Sequence, residues 1–205
     1  MSDFSLIVFV KNPVAGQVKT RVAASVGHAK AVEVYQYLLA HTQAVTQNLH
    51  PHINLNVYYG DFINETDLWE DTFYHKFLQK GDDLGARMKN AFDEQFARGA
   101  KRVVIVGSDC LEINALHIHQ AFEALQDTPV VIGPALDGGY YLLGMNEKFD
   151  FVFENKPWSQ PYLLEDTIAE LEELHISYQC LETLTDIDTW EDFQRAMMRT
   201  NQKIS

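Results

Sequence analysis

The sequence predicts an α/β protein, a three-layer α/β/α sandwich around a mostly parallel sheet, and three observations carry that prediction. Apolar runs short enough for strands alternate with amphipathic runs at the helical period from one end of the chain to the other. The strand candidates at 6–10 and 103–106 are continuously apolar, the pattern of strands covered on both faces. No Pro/Gly/Ser-rich linker, internal repeat or low-complexity tract interrupts the 205 residues, and 46% hydrophobic content is ample for one core, so a single domain over 1–205 is expected.

Each element follows from its local pattern. LIVFV at 6–10 is a buried strand. Ala31, Val34, Tyr35, Leu38, Leu39, Val45 and Leu49 then mark one face of a long helix at 3.6-residue spacing. Residues 53–58 alternate as a strand, and 73–78 form a further, less apolar one. Between them, 59–71 is a polar loop rich in acids, read as a solvated connection. Leu84, Met88, Ala91, Phe92 and Phe96 stripe a second helix that stops at Gly99. VVIV at 103–106 is the strongest buried strand; a helix over 114–125, a strand at 130–132 and an aromatic strand at 140–143 follow. After Pro161, Leu163, Leu164, Ile168, Leu171 and Leu174 define another helix. A strand at 176–181 and a helix from near Thr189 complete the alternation.

Composition narrows the function. With 16 Lys and Arg against 29 Asp and Glu, the formal net charge is −13, and a broad basic surface for nucleic acid is excluded. The apolar run at 6–10 is too short to span a membrane, and Asp3 ahead of it is not the positive start of a secretory leader, which predicts a cytoplasmic protein without a membrane span. Cys110 and Cys180 form no CxxC or metal-finger spacing and are expected as two reduced thiols.

In doubly covered sheets ligands collect beyond the carboxyl ends of the strands, so the loops after strands are the candidate chemistry. KNPVAGQVKTR, at 11–21, brings Lys11, Lys19 and Arg21 around a turn at Gly16. That grouping suits a diphosphate, or a solvated turn whose cations pair with surface acids. Val18 stands where a Walker A loop needs Gly before its Lys, which argues against that motif. VVIVGSDC delivers Asp109 just past a central strand, as a hard oxygen ligand for Mg²⁺ or Mn²⁺ or as a turn or cap residue. In GPALDGGYYLLG, Asp137-Gly138-Gly139 makes a turn into the strand at 140, and Asp137 is placed to take a proton from an acceptor hydroxyl. KGDDLGARM opens a helix with Asp82 or Asp83 as N-cap. Its Gly85 costs helix stability by roughly 1 kcal/mol, a reason to expect it to admit a flat ligand ring; the plain alternative is a capped helix with Arg87 on its wet side. KPWSQP offers Trp158 and Ser159 to a sugar or acceptor pocket, or a loop with one buried Trp. DIDTWEDF places Asp186 and Asp188 ahead of the last helix, with Thr189 or Asp188 as its cap and Asp188 alternatively a second carboxylate for the metal of Asp109.

In this order, KNPVAGQVKTR, GDDLGARM, GSDC, GPALDGGYYLLG, PWS and DIDT resemble a bacterial glycosyltransferase family named for association with radical-SAM and selenoprotein-domain genes, within the GT-A nucleotide-diphospho-sugar transferase superfamily. The resemblance runs from Leu6 to Phe193. It implies a GT-A-like fold and transfer of a sugar from a nucleotide-diphosphate sugar to an unidentified acceptor, with Mg²⁺ or Mn²⁺ bridging the phosphates. It further implies that Lys11, Gly16, Lys19 and Arg21 bind the diphosphate; that Gly81, Asp83, Gly85 and Arg87 lie near the nucleoside; and that Asp109 and Asp188 hold the metal. Gly138, Gly139, Tyr140, Trp158 and Ser159 would form the acceptor pocket, Asp137 would assist the attacking hydroxyl, and Lys19 and Arg21 would neutralise the leaving nucleotide. The superfamily also contains nucleotidyltransferases, so attack by a substrate phosphate on a nucleoside triphosphate is the alternative, with nucleotide binding without catalysis as a third reading. Leu111, Ala15 and Gln160 depart from the family pattern, which has Pro, Pro and Thr there.

Overall fold

The computed structural model describes residues 2–202; residue 1 and residues 203–205, the ends of the expected 1–205 domain, lie outside the described residues. The strands are β1 (Phe4–Val10), β2 (Asn54–Tyr59), β3 (Tyr74–Leu78), β4 (Arg102–Val106), β5 (Val130–Pro134), β6 (Tyr140–Met145) and β7 (Tyr178–Cys180). The helices are α1 (Thr20–Val26), α2 (His28–Gln47), α3 (Leu84–Ala97), α4 (Ala115–Ala124), α5 (Leu163–Glu173) and α6 (Trp190–Gln202), with one 3₁₀ turn at Asp150–Val152. All strands join one sheet in the order β3-β2-β1-β4-β6-β5-β7. Every pairing is parallel except those of β6, which runs antiparallel to both β4 and β5. The predicted sandwich is therefore the observed architecture.

Alternation along each strand sorts side chains onto two cores. In β1, Leu6, Val8 and Val10 join a core built with α1, α2, α4 and α6, whereas Ile7 and Phe9 join the opposite one, built with α3, α5 and the 3₁₀ turn. Ser5 is fully buried and answers for its polarity: its hydroxyl donates to Gln95 Oε1 at 2.9 Å and accepts from Asn56 Nδ2 at 2.9 Å, while Gln95 Nε2 donates to the Tyr58 hydroxyl at 2.8 Å. This network joins β1, β2 and α3 under the sheet.

Two expectations need correction. The stretch read as a loop through Arg21 turns helical at Thr20; α1 buries only Val22 and Ala23, too few positions to display a period. Gly27, at φ +84°, then separates α1 from α2, so the long helix begins at His28 and ends at Gln47, with Leu49 folding back into the core beyond it. The expected strand at 176–181 shrinks to an edge of three residues on β5.

Gln95→Ala removes the central amide of the buried network and leaves the Ser5 and Tyr58 hydroxyls short of partners. It should destabilise the fold by about 1–3 kcal/mol, read as a lower urea midpoint at unchanged slope.

Candidate functional site

Strand order reverses at β1: the chain leaves β1 toward β2 and returns on the other side at β4. The loops after β1 and β4 therefore separate and open a crevice at the carboxyl edge. Tyr35 of α2 ties the two loops together. Its hydroxyl accepts from the Lys11 amide at 2.8 Å and is 3.1 Å from Ser108 Oγ. Burial, and next the charge of Asp109, push this phenol well above its usual pKa, so it stays a neutral hydroxyl.

Lys19 is the pivot. It caps α1 in the left-handed region at φ 46°, a conformation a side-chain-bearing residue adopts only when its surroundings enforce it. Its side chain, 7% exposed, places Nζ 2.8 Å from Asp109 Oδ1 and 2.6 Å from the Ile187 carbonyl oxygen. The Ile187 amide in turn donates to the Asp109 carbonyl at 2.8 Å, and Cys110 bridges Asp186 in antiparallel fashion, so the loop before α6 is sewn to the loop after β4. Arg21 completes the junction with Asp188, 2.9 Å away in an exposed pair. Thr189 and Asp192 cap α6 reciprocally, Thr189 N to Asp192 Oδ2 at 2.8 Å and Asp192 N to Thr189 Oγ1 at 3.2 Å, which leaves the Asp188 carboxylate to face Arg21. Residues from the start, the middle and the end of the chain thus meet at one point.

Two connected hollows lie here. A smaller one of about 150 Å³ is lined by Lys11, Lys19, Arg21, Tyr35, Asp109 and Asp188. The main cleft, about 1040 Å³, shares several of those residues and extends past Asp83 and Arg87 on one side to Asp137, Gly139, Tyr140, Trp158 and Ser159 on the other. Asp137 Oδ1 accepts from the Gly139 amide at 3.0 Å, the turn expected there. Asp83 proves to be the N-cap of α3, accepting from Ala86 N at 2.8 Å.

Four of the glycines named as site residues serve the chain's own turns and packing, Gly16 and Gly138 in the turns expected there. The space in front of Gly85 is filled by the chain itself: a Cβ there would lie 2.4 Å from the Phe153 carbonyl oxygen and 2.6 Å from Trp158 Nε1, so the flat ring it admits is the indole of Trp158. Gly81, at φ +136°, packs on Ala86 and Arg87, and Arg87 Nε donates to its carbonyl at 3.0 Å. Gly138, at φ +90°, sits against the Pro161 carbonyl, where a Cβ would approach to 1.8 Å. Gly16 forms an open turn at φ +86°. None of the four lines either hollow.

The sequence pattern put Tyr35 on a helix face and Asp186 in the loop before the last helix, with no role at the site for either. Periodicity assigned the first to the core, which is also true; the second carried a signal only in its place two residues before Asp188. Asp186 is half-buried, within reach of the charges of Asp109, Asp137 and Asp188. Burial first, then the Asp109 and Asp137 charges, push its carboxyl up to about 7, with Lys19 opposing. Cys110 and Cys180 are both free, and burial raises the Cys110 thiol to about 12, which removes it as a nucleophile.

The donor set fits a hard divalent cation. Asp109 and Asp188 present half-exposed carboxylates to the same hollow, at 47% and 41% exposure. Among the described residues no group of three or more His, Cys, Asp or Glu is arranged to enclose a metal. Mg²⁺ and Mn²⁺ suit such an open pair, because they complete their shell with substrate phosphates and water.

A carboxyl whose folded pKa of about 7 lies above the ordinary 3.8 stabilises the fold fully below pH 4 and loses that contribution as pH rises toward 7. Asp186→Asn, which mimics the protonated form, should flatten this decline in metal-free protein. Thermal melts at pH 5 and pH 8 should show the variant gaining on the wild type at the higher pH by up to a few kcal/mol, and an unchanged difference between the two pH values would refute the assignment.

Similarity to known proteins follows this geometry. A candidate nucleotide-diphospho-sugar transferase from Desulfovibrio desulfuricans G20 is 31% identical, with 98% of this chain and 88% of that one covered at a TM-score of 0.85. CMP:2-keto-3-deoxy-manno-octonic acid synthetase, solved with CTP, shares the fold at a TM-score of 0.62 and 10% identity over 98% of this chain and 99% of its own. A Mycobacterium tuberculosis H37Rv protein solved with manganese does so at 0.53 and 13%, over 96% and 98%. No curated protein matches the sequence. These likenesses make the sandwich a GT-A-like one. The model of the bacterial family DUF2064, described as an uncharacterized protein conserved in bacteria, matches residues 39–160, and with the Desulfovibrio relative this establishes that the chain belongs to that family.

Proposed function

We propose that the chain is a divalent-metal-dependent glycosyltransferase that moves a sugar from a nucleotide-diphosphate sugar to an acceptor hydroxyl. The observation that supports this reading is the convergence of Lys19 and Arg21 with Asp109 and Asp188 in one hollow at the switch point. Without a ligand these groups neutralise each other. Lys19, Arg21 and Lys11 would turn to the oxygens of an arriving diphosphate, which would free the carboxylates of Asp109 and Asp188 to hold a divalent cation. Mg²⁺ or Mn²⁺ held by Asp109 and Asp188 would supply Lewis-acid stabilisation of the diphosphate.

The chain's own residues account for the remaining steps. Lys19 and Arg21 balance the charge that accumulates on the nucleoside diphosphate as the bond from the anomeric carbon to its phosphate oxygen breaks. The acceptor oxygen forms the new bond to that carbon, and its proton passes to Asp137. Asp83 and Arg87, farther along the cleft, are assigned to the nucleoside. Kinship with the radical-SAM and selenodomain-associated transferases, a single domain over 1–205 and a cytoplasmic location belong to the same proposal; among the described residues no helix is long and apolar enough to cross a membrane.

The second reading, nucleotidyl transfer, is favoured by the fold shared with a synthetase solved with CTP. In it, the same cations would assist attack by a substrate phosphate on a nucleoside triphosphate. Incubation with a panel of nucleotide sugars and nucleoside triphosphates in Mg²⁺ or Mn²⁺ separates the readings: nucleoside diphosphate is the expected product, pyrophosphate would identify nucleotidyl transfer, and tight binding without turnover would leave a nucleotide-binding protein.

Asp109→Ala should abolish metal-dependent nucleotide binding by calorimetry; unchanged affinity would remove the metal assignment. Lys19→Ala should weaken diphosphate affinity by roughly 10- to 100-fold, the scale of a charge-assisted hydrogen bond, with the fold retained by circular dichroism.

A further inference from the structure

On the side of β1 away from β4, the main cleft is bounded by the carboxyl ends of β2 and β3, where Gly60, Asp61 and Gln79 line it. Gln79 follows β3 directly, and its side chain turns back across the sheet: Nε2 donates to the Val10 carbonyl at 3.2 Å and to the Tyr58 carbonyl at 2.9 Å. Both protons of the amide are thereby spent. A flipped amide would set its oxygen against two carbonyl oxygens, so the group is locked, and Oε1, without a partner among the described residues, is a fixed acceptor.

Asp61 is anchored close by. The Gly60 amide donates to the same Val10 carbonyl at 2.9 Å, the Asp61 and Phe62 amides both donate to Asn12 Oδ1 at 3.2 Å, and Asn12 Nδ2 donates to the Phe62 carbonyl at 2.9 Å. Asn12, 1% exposed, thus clamps the loop after β2 to the loop after β1. The Asp61 carboxylate is exposed, and among the described residues no hydrogen bond or ion pair engages it. The same bonds use up donors: the main-chain N–H groups of Lys11, Gly60, Asp61, Phe62 and Gln79 are all committed within the chain. What this part of the cleft offers a ligand is therefore acceptors, Gln79 Oε1 and Asp61, with Asp82 lining the cleft beyond them. Three cations line the same cleft. The proposed reading commits Lys11 and Arg21 to the diphosphate, and Arg87, whose Nε donates to the Gly81 carbonyl at 3.0 Å, keeps its terminal nitrogens for a ligand oxygen.

We infer that this part of the cleft reads guanine, Gln79 Oε1 and the Asp61 carboxylate accepting from the adjacent N1–H and N2 amino group of the base while Arg87 donates to its O6. The inference rests on the reading that the cleft holds a nucleotide, and it specifies the base whether a sugar or a nucleotidyl group is transferred. Guanine alone among the four common ribonucleobases carries two donor groups side by side. Adenine, cytosine and uracil each place a ring or carbonyl acceptor next to their one donor, and that lone pair would face an acceptor the chain cannot turn away. A locked amide discriminates where a freely flipping one would adapt.

Calorimetry on the full chain in Mn²⁺ with the diphosphates of guanosine, inosine, adenosine, uridine and cytidine tests this. Guanosine diphosphate should bind about tenfold or more tightly than the adenosine, uridine and cytidine compounds. Inosine diphosphate, which lacks the N2 amino group and keeps N1–H, should fall several-fold behind it. Replacing Gln79 would also break its two strand-end bonds, so the substitution is made at the exposed acid: Asp61→Asn should weaken guanosine diphosphate about tenfold and leave adenosine diphosphate unchanged, narrowing the preference. Another common base binding as tightly as guanine, inosine diphosphate matching guanosine diphosphate, or an Asp61→Asn loss shared evenly by all five would overturn the inference while the nucleotide reading stands. Absence of binding by all five would overturn the nucleotide reading itself.

Discussion

The ion pair between Lys19 and Asp109 is the constraint from which the rest of the site follows. A lysine with 7% of its side chain exposed must have a counter-charge, because an ammonium withdrawn from water without one costs several kcal/mol. Here the counter-charge comes from the loop after β4, and the second partner, the Ile187 carbonyl, from the loop before α6. To bring Nζ to both, the backbone of Lys19 is held left-handed at the entrance to α1. One residue therefore fixes how three distant segments approach each other, and it explains how a chain of net charge −13 maintains a cationic corner at all.

The local charge balance also limits what can enter. Lys19 and Arg21 face Asp109 and Asp188, and Asp186 and Asp137 add further negative potential at close range. An anion alone would release the carboxylates with nothing to answer them. In the proposed reading, an anion accompanied by a divalent cation would satisfy both sides together, which would favour joint arrival over either alone. Burial, and next the charges of Asp109 and Asp137, raise the Asp186 carboxyl against the opposing Lys19, so the same crowding of acids favours its protonated form.

Much of this was legible in the sequence, and for physical reasons. Continuous valines and isoleucines in β4, and the stripe of α3, are direct consequences of burial on two faces or one, so strands and helices were found within a few residues of their ends. The loops were found because a parallel sheet gathers ligands at one edge. What periodicity could not supply was α1, whose two buried residues leave no pattern, or the role of Tyr35, whose ring belongs to the core while its hydroxyl spans two loops. Gly85 was read as making room for a flat ligand ring, yet it makes room for the indole of Trp158; Gly81 and Gly138, expected near ligand, likewise pack on other parts of the same chain. A sequence records that a side chain is missing, not which neighbour occupies the gap.

The reversed direction of β6 has a structural consequence. Because it runs against its neighbours, its beginning lies at the edge where β1 and β4 finish, and the turn that feeds it brings Asp137 and Gly139 to the same cleft as the loops after β1 and β4. In the proposed reading, the donor side thus comes from crossover loops and the acceptor side from a hairpin of the same sheet. In that reading, lengthening or recomposing the hairpin would alter the acceptor side of the proposed transfer while leaving the loops after β1 and β4 as they are.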